Sequence, residues 1–588
     1  MAVPDDEVSE IEVDPRAYRY GAWELARCCL LRTLYSYNGK PAEEGGAEVR
    51  PDLAEGPPEV SSDGLTWTFR LKRGLRYAPP FDDTPIVALD IVRALEREAR
   101  VGMGGYGFDP EGYGYYYSVI RGFEEFPEKA DSVVGLETPD DRTLVVRLEE
   151  ITGDLAYRFS FPATAPIPEG ASEGHDDDYG RFLVASGPYM LEGSEDLDFS
   201  VPPQQQEPAS GFVPATFNRD GEVEEPGSLA LVRNPSWEPE SDGLRPAYPD
   251  RIELAIGGGD AEEFADRVDA AEIDFVFDGG GSPFEQVARY RKAPALEDRL
   301  HVDARDVGFA ITMNLAAPPF DDVHVRRAVN FAIDEAALLD LLSIAPHDPG
   351  NGAGEAGAHI APDTFEGSLL RAFDPYPYDS AAAREEMRAS AYDRTGDGVC
   401  DAQVCRDVRA PVWDYGVLPL QAKAVRDDLA EVGIELELDV LASDRFFEQL
   451  NDPREHVPIA IAFPWGKDYP EGIGWFLQLF DVSGLGVGGF NTSLVGVSPR
   501  QLRKWGYEVG SVPSVDDRLD ACQRRRGVAR TQCWAEYDQY LMNEVVPRVP
   551  YMFMEHALVV SERVDGYSFD QFQSLPALDR IALAPGSE

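Results

Sequence analysis

Gln421-Ala-Lys-Ala-Val-Arg-Asp-Asp-Leu-Ala-Glu-Val-Gly-Ile-Glu-Leu-Glu-Leu-Asp-Val440 changes its hydrophobic period halfway along. From Gln421 to Val432 the stretch reads as a helix. Gly433 then supplies a stop, because glycine takes the left-handed backbone that closes helix C-termini at no steric cost. Beyond it Ile434, Leu436, Leu438 and Val440 alternate with Glu435, Glu437 and Asp439, the period of a half-buried strand. A helix feeding directly into a strand sets the fold class as α/β or mixed, with several sheets. Other segments agree. Val325, Ala328, Val329, Ala332 and Ile333 fall on one helical face. Trp67, Phe69 and Leu71 predict a strand, as do Leu144, Val146 and Leu148, and Ile252, Leu254 and Ile256. Thr84-Pro85 predicts a helix start, with Ala88, Ile91, Val92 and Leu95 recurring behind it.

At 588 residues the chain is too long for one core, so two or three lobes are expected. A hydrophobic content of 43% excludes general disorder, and no apolar run reaches the roughly 18 residues of a membrane span. The formal net charge is −54, so nucleic acid and anionic lipid surfaces repel the chain at long range. Only Lys40, Lys72, Lys129, Lys292, Lys423, Lys467 and Lys504 carry ammonium groups. An acidic, lysine-poor surface fits a salt-tolerant source, and a GC-rich genome produces the same bias. The start, Met1 to Glu7, is acidic and lacks the basic and apolar regions of a signal peptide. A cytoplasmic location and a leader missing before Met1 both fit it.

Six cysteines form three close pairs, Cys28-Cys29, Cys400/Cys405 and Cys522/Cys533, none with C-x-x-C spacing. The last two pairs close short loops, and two disulfides are expected, which suits an oxidising compartment and favours export. Cys28 and Cys29 are expected as buried thiols, since bridging neighbours strains the ring.

Motifs of catalysis are missing. Gly39-Lys40 and Gly466-Lys467 lack the Ser or Thr of a phosphate loop, and there is no G-x-S-x-G elbow or H-E-x-x-H helix. Seven scattered histidines lack ligand spacing, and the triple glycines at 257–259 and 279–281 read as turns. Three segments, 102–117, 202–226 and 485–496, read as loops of functional or surface-insertion type. No cofactor is expected. One segment, Asp393-Arg-Thr-Gly-Asp397-Gly-Val-Cys-Asp401, matches the first part of a calcium loop, but Val404 stands where the closing Glu belongs. An acidic turn stapled by Cys400/Cys405 is the other reading.

Several stretches together resemble the extracellular solute-binding family 5, the dipeptide- and oligopeptide-binding proteins of ABC importers. They are Leu31 to Tyr37, Pro51 to Glu55, Ser62 to Gly74, Thr84 to Leu95, Ala185-Ser-Gly-Pro-Tyr189, Leu231 to Trp237, Pro249 to Ile252, Met313-Asn314 and Pro319 to Asp334. The resemblance runs in the family's order from about residue 25 to the C-terminus. It implies a two-lobed periplasmic-binding-protein-like α/β fold of the large class II type. The first lobe takes 1–50, 180–305 and 555–588, with an extra subdomain at 51–179, and the second lobe takes 306–554. The chain would cross twice between lobes, near Phe309–Asn314 and Tyr551–His556, as a hinge for closure around a ligand.

The same resemblance implies capture of a peptide or peptide-like molecule by a monomer outside the cytoplasmic membrane, free in the periplasm or lipid-anchored, and delivery to membrane permease subunits, without catalysis. Oligosaccharides and metal chelates are alternative cargoes within the family; a peptide-processing enzyme and a sensor lobe are alternatives outside it. The site motif is Trp465-Gly-Lys467-Asp468-Tyr469-Pro470, similar to the family's Trp-x-x-Asp-Tyr element. There Asp468 would accept a ligand's α-amino group, with Trp465 and Tyr469 as flat walls. Lys467 stands where the family has a small residue, so it would either neutralise Asp468 or point outwards. Phe490, Asn491 and the tyrosines of Tyr106 to Tyr117 are further candidates for the ligand site. No local motif places a cation for a ligand carboxylate; Arg371 is conceivable only by its position in the second lobe.

Overall fold

A computed structural model describes residues 1–5, 13–16, 20–101, 114–126, 129–171, 179–219, 222–277, 279–344, 354–365, 369–482, 485 and 490–586. The chain forms two compact units, one built from Met1–Gly104, Asp109–Asp303 and His556–Glu588, the other from Ala304–Glu555. The unit boundaries fall inside two long strands, Leu300–Met313 and Arg548–Val559.

The second unit is organised on a six-stranded mixed sheet. Its order is Gly354–Glu355, Arg548–Val559, Leu300–Met313, Ile459–Gly466, Val408–Trp413, Leu436–Leu441. The helix-to-strand reading of 421–440 holds here. Helix Leu418–Ala430 buries Ala422, Val425 and Leu429, and strand Leu436–Leu441 pairs in parallel with Val408–Trp413. Gly433 stands at φ +80°, and a Cβ there would lie 2.6 Å from the Cys400 carbonyl oxygen. Both the backbone twist and the close approach therefore require glycine. Helix Val323–Ala332 packs its apolar face into the same core, with Phe320, Val325, Val329, Leu338, Ile461 and Tyr551.

The first unit carries a sheet in which Ala2–Val3, Arg251–Ile256, Gly227–Arg233 and Tyr189–Leu191 neighbour one another in that order, with Phe212–Val213 also on Gly227–Arg233. A separate four-stranded sheet contains Thr66–Arg70 between Glu59–Val60 and Thr143–Arg147, with Leu136–Asp140 outermost. The first and last segments of the chain are clamped together by a buried ion cluster. Arg27 reaches Glu24 at 2.7 Å, Asp570 at 3.1 Å and Asp579 at 2.8 Å. Burial pushes the carboxyls of Glu24 and Asp579 up despite the guanidinium beside them.

Two local expectations are corrected. The helix foreseen at Thr84-Pro85 begins at Ala88. Pro85 instead bridges Arg76, and the Ile86 N–H bonds the Leu75 carbonyl, so a non-local pairing holds this stretch extended. Cys28 and Cys29 are disulfide-bonded to each other. Their backbone is one turn of π-helix, Ala26–Leu30, buried throughout. Cys400–Cys405 and Cys522–Cys533 are bridged as expected. The glycines at 257–259 form a turn whose Gly258 N–H is taken by Asp5 Oδ1 at 2.7 Å.

Candidate functional site

Strand Ile459–Gly466 runs antiparallel to Leu300–Met313, with Gly308 opposite Trp465 and Val307 opposite Gly466. Strand alternation puts Phe463 and Trp465 on one face. The chain then leaves the sheet as the loop Lys467–Gly472 and enters helix Ile473–Phe480.

Register decides what the first loop residue does. The Lys467 N–H donates to the Asp306 carbonyl at 3.3 Å, which carries the side chain inward along the neighbouring strand. Its Nζ donates to Asp306 Oδ2 at 2.7 Å, with both side chains buried. Asp306 Oδ1 accepts from Thr364 Oγ1 at 2.6 Å. Of the two sequence expectations for Lys467, pointing outwards is not met: the side chain is buried and its ammonium pairs with Asp306. A buried ion pair with a further hydrogen bond is stable because neither charge is left to burial alone.

Asp468 follows, buried, its N–H donating to the Gly474 carbonyl at 3.3 Å. Tyr469 is fully enclosed, and its carbonyl accepts from the Glu471 N–H at 2.7 Å. Glu471 anchors the turn: it accepts from Arg530 Nε and Nη2, from Trp534 Nε1, and from the Ile473 N–H at 2.9 Å. Gly472 lies against the Trp534 ring, where a Cβ would come within 2.4 Å, so this position admits no side chain. The loop bearing Asp468 is thus fixed from beneath by an ion pair, an indole and a close backbone contact.

Trp465 is half-buried; its Nε1 donates to the Trp475 carbonyl at 3.0 Å, and its ring centroid lies 5.0 Å from that of Phe490. Phe490 also meets Phe463 edge-on at 6.1 Å. Asn491 is placed differently. Its Nδ2 donates to the Asp481 and Val495 carbonyls and its Oδ1 accepts from the Val495 N–H, so its amide ties the loop together. Tyr106 and Tyr113 lie outside the described residues. Arg371 is largely exposed and pairs with Asp363 at 3.2 Å.

Sequence reading missed six residues in this unit. Asp306 pairs with Lys467 and accepts from Thr364, and Arg530 holds Glu471. His359 lies between Asp363 at 3.5 Å and Asp538 at 3.6 Å. Arg548 is buried between the rings of Phe480 and Phe463, 5.0 and 5.7 Å away, and its Nε and Nη2 have no hydrogen-bond partner among the described residues. Burial pulls its guanidinium down to about 9. Glu355 is pushed up by desolvation and by the carboxylates of Glu555 and Asp363.

The acidic turn at 393–401 is held by its own backbone. Asp393 accepts from the N–H groups of Thr395, Gly396 and Gly398, Asp397 from Val399, and Asp401 from Arg394. Those bonds hold the Asp393 carboxyl below its usual range against the push of desolvation. Among the described residues no three His, Cys, Asp or Glu side chains converge in a way that could hold a metal ion.

Comparison with known proteins bears on this arrangement. A profile described as bacterial extracellular solute-binding proteins, family 5 Middle, matches residues 48–200 and 221–485. The glutathione-binding protein GsiB of Salmonella choleraesuis is 25% identical over 356 residues, 60% of this chain and 56% of that protein. GsiB of Escherichia coli K12 is 23% identical over 333 residues, 57% and 51% of the two chains. The chain therefore spans about half the length of the curated relatives it matches. Among solved structures, the clavulanic acid biosynthesis oligopeptide binding protein 2 superposes with a TM-score of 0.76 at 28% identity, covering 99% of this chain and 95% of that one. The periplasmic murein tripeptide binding protein MppA superposes with a TM-score of 0.69 at 16% identity, covering 98% and 96%, a likeness of fold. Among the described residues no helix is long and apolar enough to cross a membrane.

Proposed function

The chain belongs to the bacterial extracellular solute-binding proteins of family 5, and on that premise we propose that it captures a peptide or peptide-like small molecule outside the cytoplasmic membrane and delivers it to the permease subunits of an ABC importer. The observation that carries the peptide part is a buried carboxylate, Asp468, on a loop fixed by Glu471 and Arg530. Beside it the Lys467 ammonium has its own buried counter-charge in Asp306, and the Asp468 carboxylate is suited to receive a ligand ammonium. Such a charge-assisted bond is strong where water is excluded. Trp465 and Phe490 offer flat apolar surface beside it for a peptide backbone or side chain. Glutathione and oligopeptides, which relatives are named for binding, carry the α-amino group this carboxylate would pair.

The role is binding without turnover. Capture needs only that the ligand prefer one conformation of the protein over the other. Asp468, Trp465 and Phe490 form the proposed ligand set, with Tyr469 and Asn491 shaping the loops that carry them.

Native mass spectrometry of the protein purified from its host, followed by calorimetric titration with glutathione and with tri- to pentapeptides, tests the reading. A co-purifying peptide, or micromolar binding of one of these probes, is the expected result. A co-purifying sugar or metal chelate, or turnover of a bound peptide, would overturn it.

A further inference from the structure

The chain carries its charge unevenly. Residues 499–530 hold eight Arg and Lys against four Asp and Glu, in a protein whose net charge is −54. Two clusters of three bases carry it: Arg500, Arg503 and Lys504 on helix Pro499–Trp505, and Arg524, Arg525 and Arg526 in the turn Gln523-Arg-Arg-Arg-Gly-Val528 between helices Asp516–Gln523 and Val528–Tyr540, where an exposed aliphatic side chain stands among them. Arg524, Arg525, Arg526, Gly527, Val528 and Ala529 are all exposed. Val528, at 87%, is the most exposed large hydrophobic side chain among the described residues.

This turn is built rather than loose. The Cys522–Cys533 disulfide joins the two helices directly beneath it. Arg530, itself buried, donates from Nη1 to the carbonyls of Cys522, Gln523 and Arg525 and from Nη2 to Glu471. Gly527 adopts φ +57°, ψ −148°, a conformation that is essentially glycine's alone. The backbone carbonyls are thereby held inward beneath three exposed arginines. Arg524 pairs with Asp520 at 3.7 Å, an ion pair exposed on both sides and weak.

We propose that the Arg524–Val528 turn docks on an anionic membrane surface. Guanidinium groups pair bidentately with lipid phosphates, and an exposed aliphatic side chain amid them suits the headgroup boundary. Lipid is favoured over an acidic protein patch because Val528 gains nothing from a purely charged partner.

The overall acidity sets a signature for this docking. At 0.01 M salt the screening length is about 30 Å, so the whole acidic body repels the membrane; at 0.15 M it is about 8 Å, and only groups at the contact count; at 1 M it is about 3 Å, and the arginines are screened too. Binding therefore peaks at intermediate salt.

The test is partition of the full chain onto vesicles of phosphatidylglycerol and phosphatidylcholine, against pure phosphatidylcholine, at 0.01, 0.15 and 1 M salt. Binding to the anionic vesicles alone, strongest at 0.15 M, is expected. R524A/R525A/R526A should weaken it by about 100-fold, at roughly fivefold per arginine, and V528D by a further measurable factor. Both variants change only exposed side chains, and an unaltered thermal midpoint confirms the fold. R500A/R503A/K504A, the same charge change on helix Pro499–Trp505, should bind nearly as the parent does. No preference for anionic vesicles at any salt, or an equal loss in the control variant, overturns the proposal. Binding to poly-glutamate without binding to vesicles also overturns it, in favour of an acidic protein partner. None of these readouts depends on the cargo, so the proposal stands or falls apart from the transport reading.

Discussion

Lys467 Nζ donates to Asp306 Oδ2 across 2.7 Å, between the buried first residue of the loop after strand Ile459–Gly466 and a buried residue of the neighbouring strand Leu300–Met313. The pair gives the Lys467 ammonium a buried counter-charge next to the candidate ligand carboxylate of Asp468. Removing either partner alone leaves a buried charge uncompensated, at a cost of about 3–5 kcal/mol. Lys467→Met and Asp306→Leu should each lower stability to denaturant by that order. The double variant should recover most of the loss, since an apolar pair of similar volume needs no counter-charge. Additive losses in the double variant would contradict the pairing.

Asp468→Asn keeps the shape of the loop and removes its charge. Loss of one partner of a desolvated charged hydrogen bond costs about 2–5 kcal/mol of binding. Peptide binding should weaken by at least about 30-fold in titration calorimetry, with little change in thermal midpoint. An N-acetylated peptide should lose affinity for the parent protein by a similar factor and be nearly indifferent to the substitution. Equal binding of free and acetylated peptide would remove Asp468 from the proposed role.

What was legible in the sequence was local. The helix, Gly433 and strand of 421–440 follow from one period change, and the Trp465 to Tyr469 element from one short motif. What was hidden depended on register between distant segments. Asp306 is 161 residues from Lys467 and Arg530 is 59 from Glu471, and neither alternation nor spacing reveals such partners. The same blindness misplaced the helix start at Thr84-Pro85, where pairing with Leu75 and Arg76 overrides a good local cap. The Cys28–Cys29 bridge was misread because the strain of joining neighbours was weighed above the oxidising setting that the other two pairs implied. Asn491 was read from its place after a glycine-rich loop, whereas its amide is occupied in holding that loop's backbone.

Arg27 compensates Glu24, Asp570 and Asp579 at once, joining the N-terminal and C-terminal segments of the first unit. Arg27→Met would leave three buried carboxyls facing one another. A loss of about 3–5 kcal/mol is expected, recovered in part at acid pH as the raised carboxyls of Glu24 and Asp579 protonate. Chemical denaturation at pH 5 and pH 8 measures both; a cost that does not change with pH would show that the three acids are compensated by other groups.

Glu335, at the start of helix Glu335–Asp340, is pushed up to about 9 by desolvation and by the neighbouring carboxylates of Asp374 and Asp334. Asp428, whose Oδ2 accepts from the Asp334 N–H, is pushed up to about 6. A carboxyl whose folded value is raised holds its proton more tightly folded than unfolded. Its stabilising contribution is complete below the unfolded value near 4.3 and is lost as pH rises through the folded value. Stability should therefore fall from pH 5 towards pH 9 through this cluster. Glu335→Gln removes the charge that forms at high pH and should raise stability at pH 8.5 by about 1–2 kcal/mol, discounted for partial solvent access, while leaving it nearly unchanged at pH 4. Urea titrations of parent and variant across that range give the difference directly. A gain at pH 4 equal to that at pH 8.5 would mean that the substitution acts through packing and not through the carboxyl's titration.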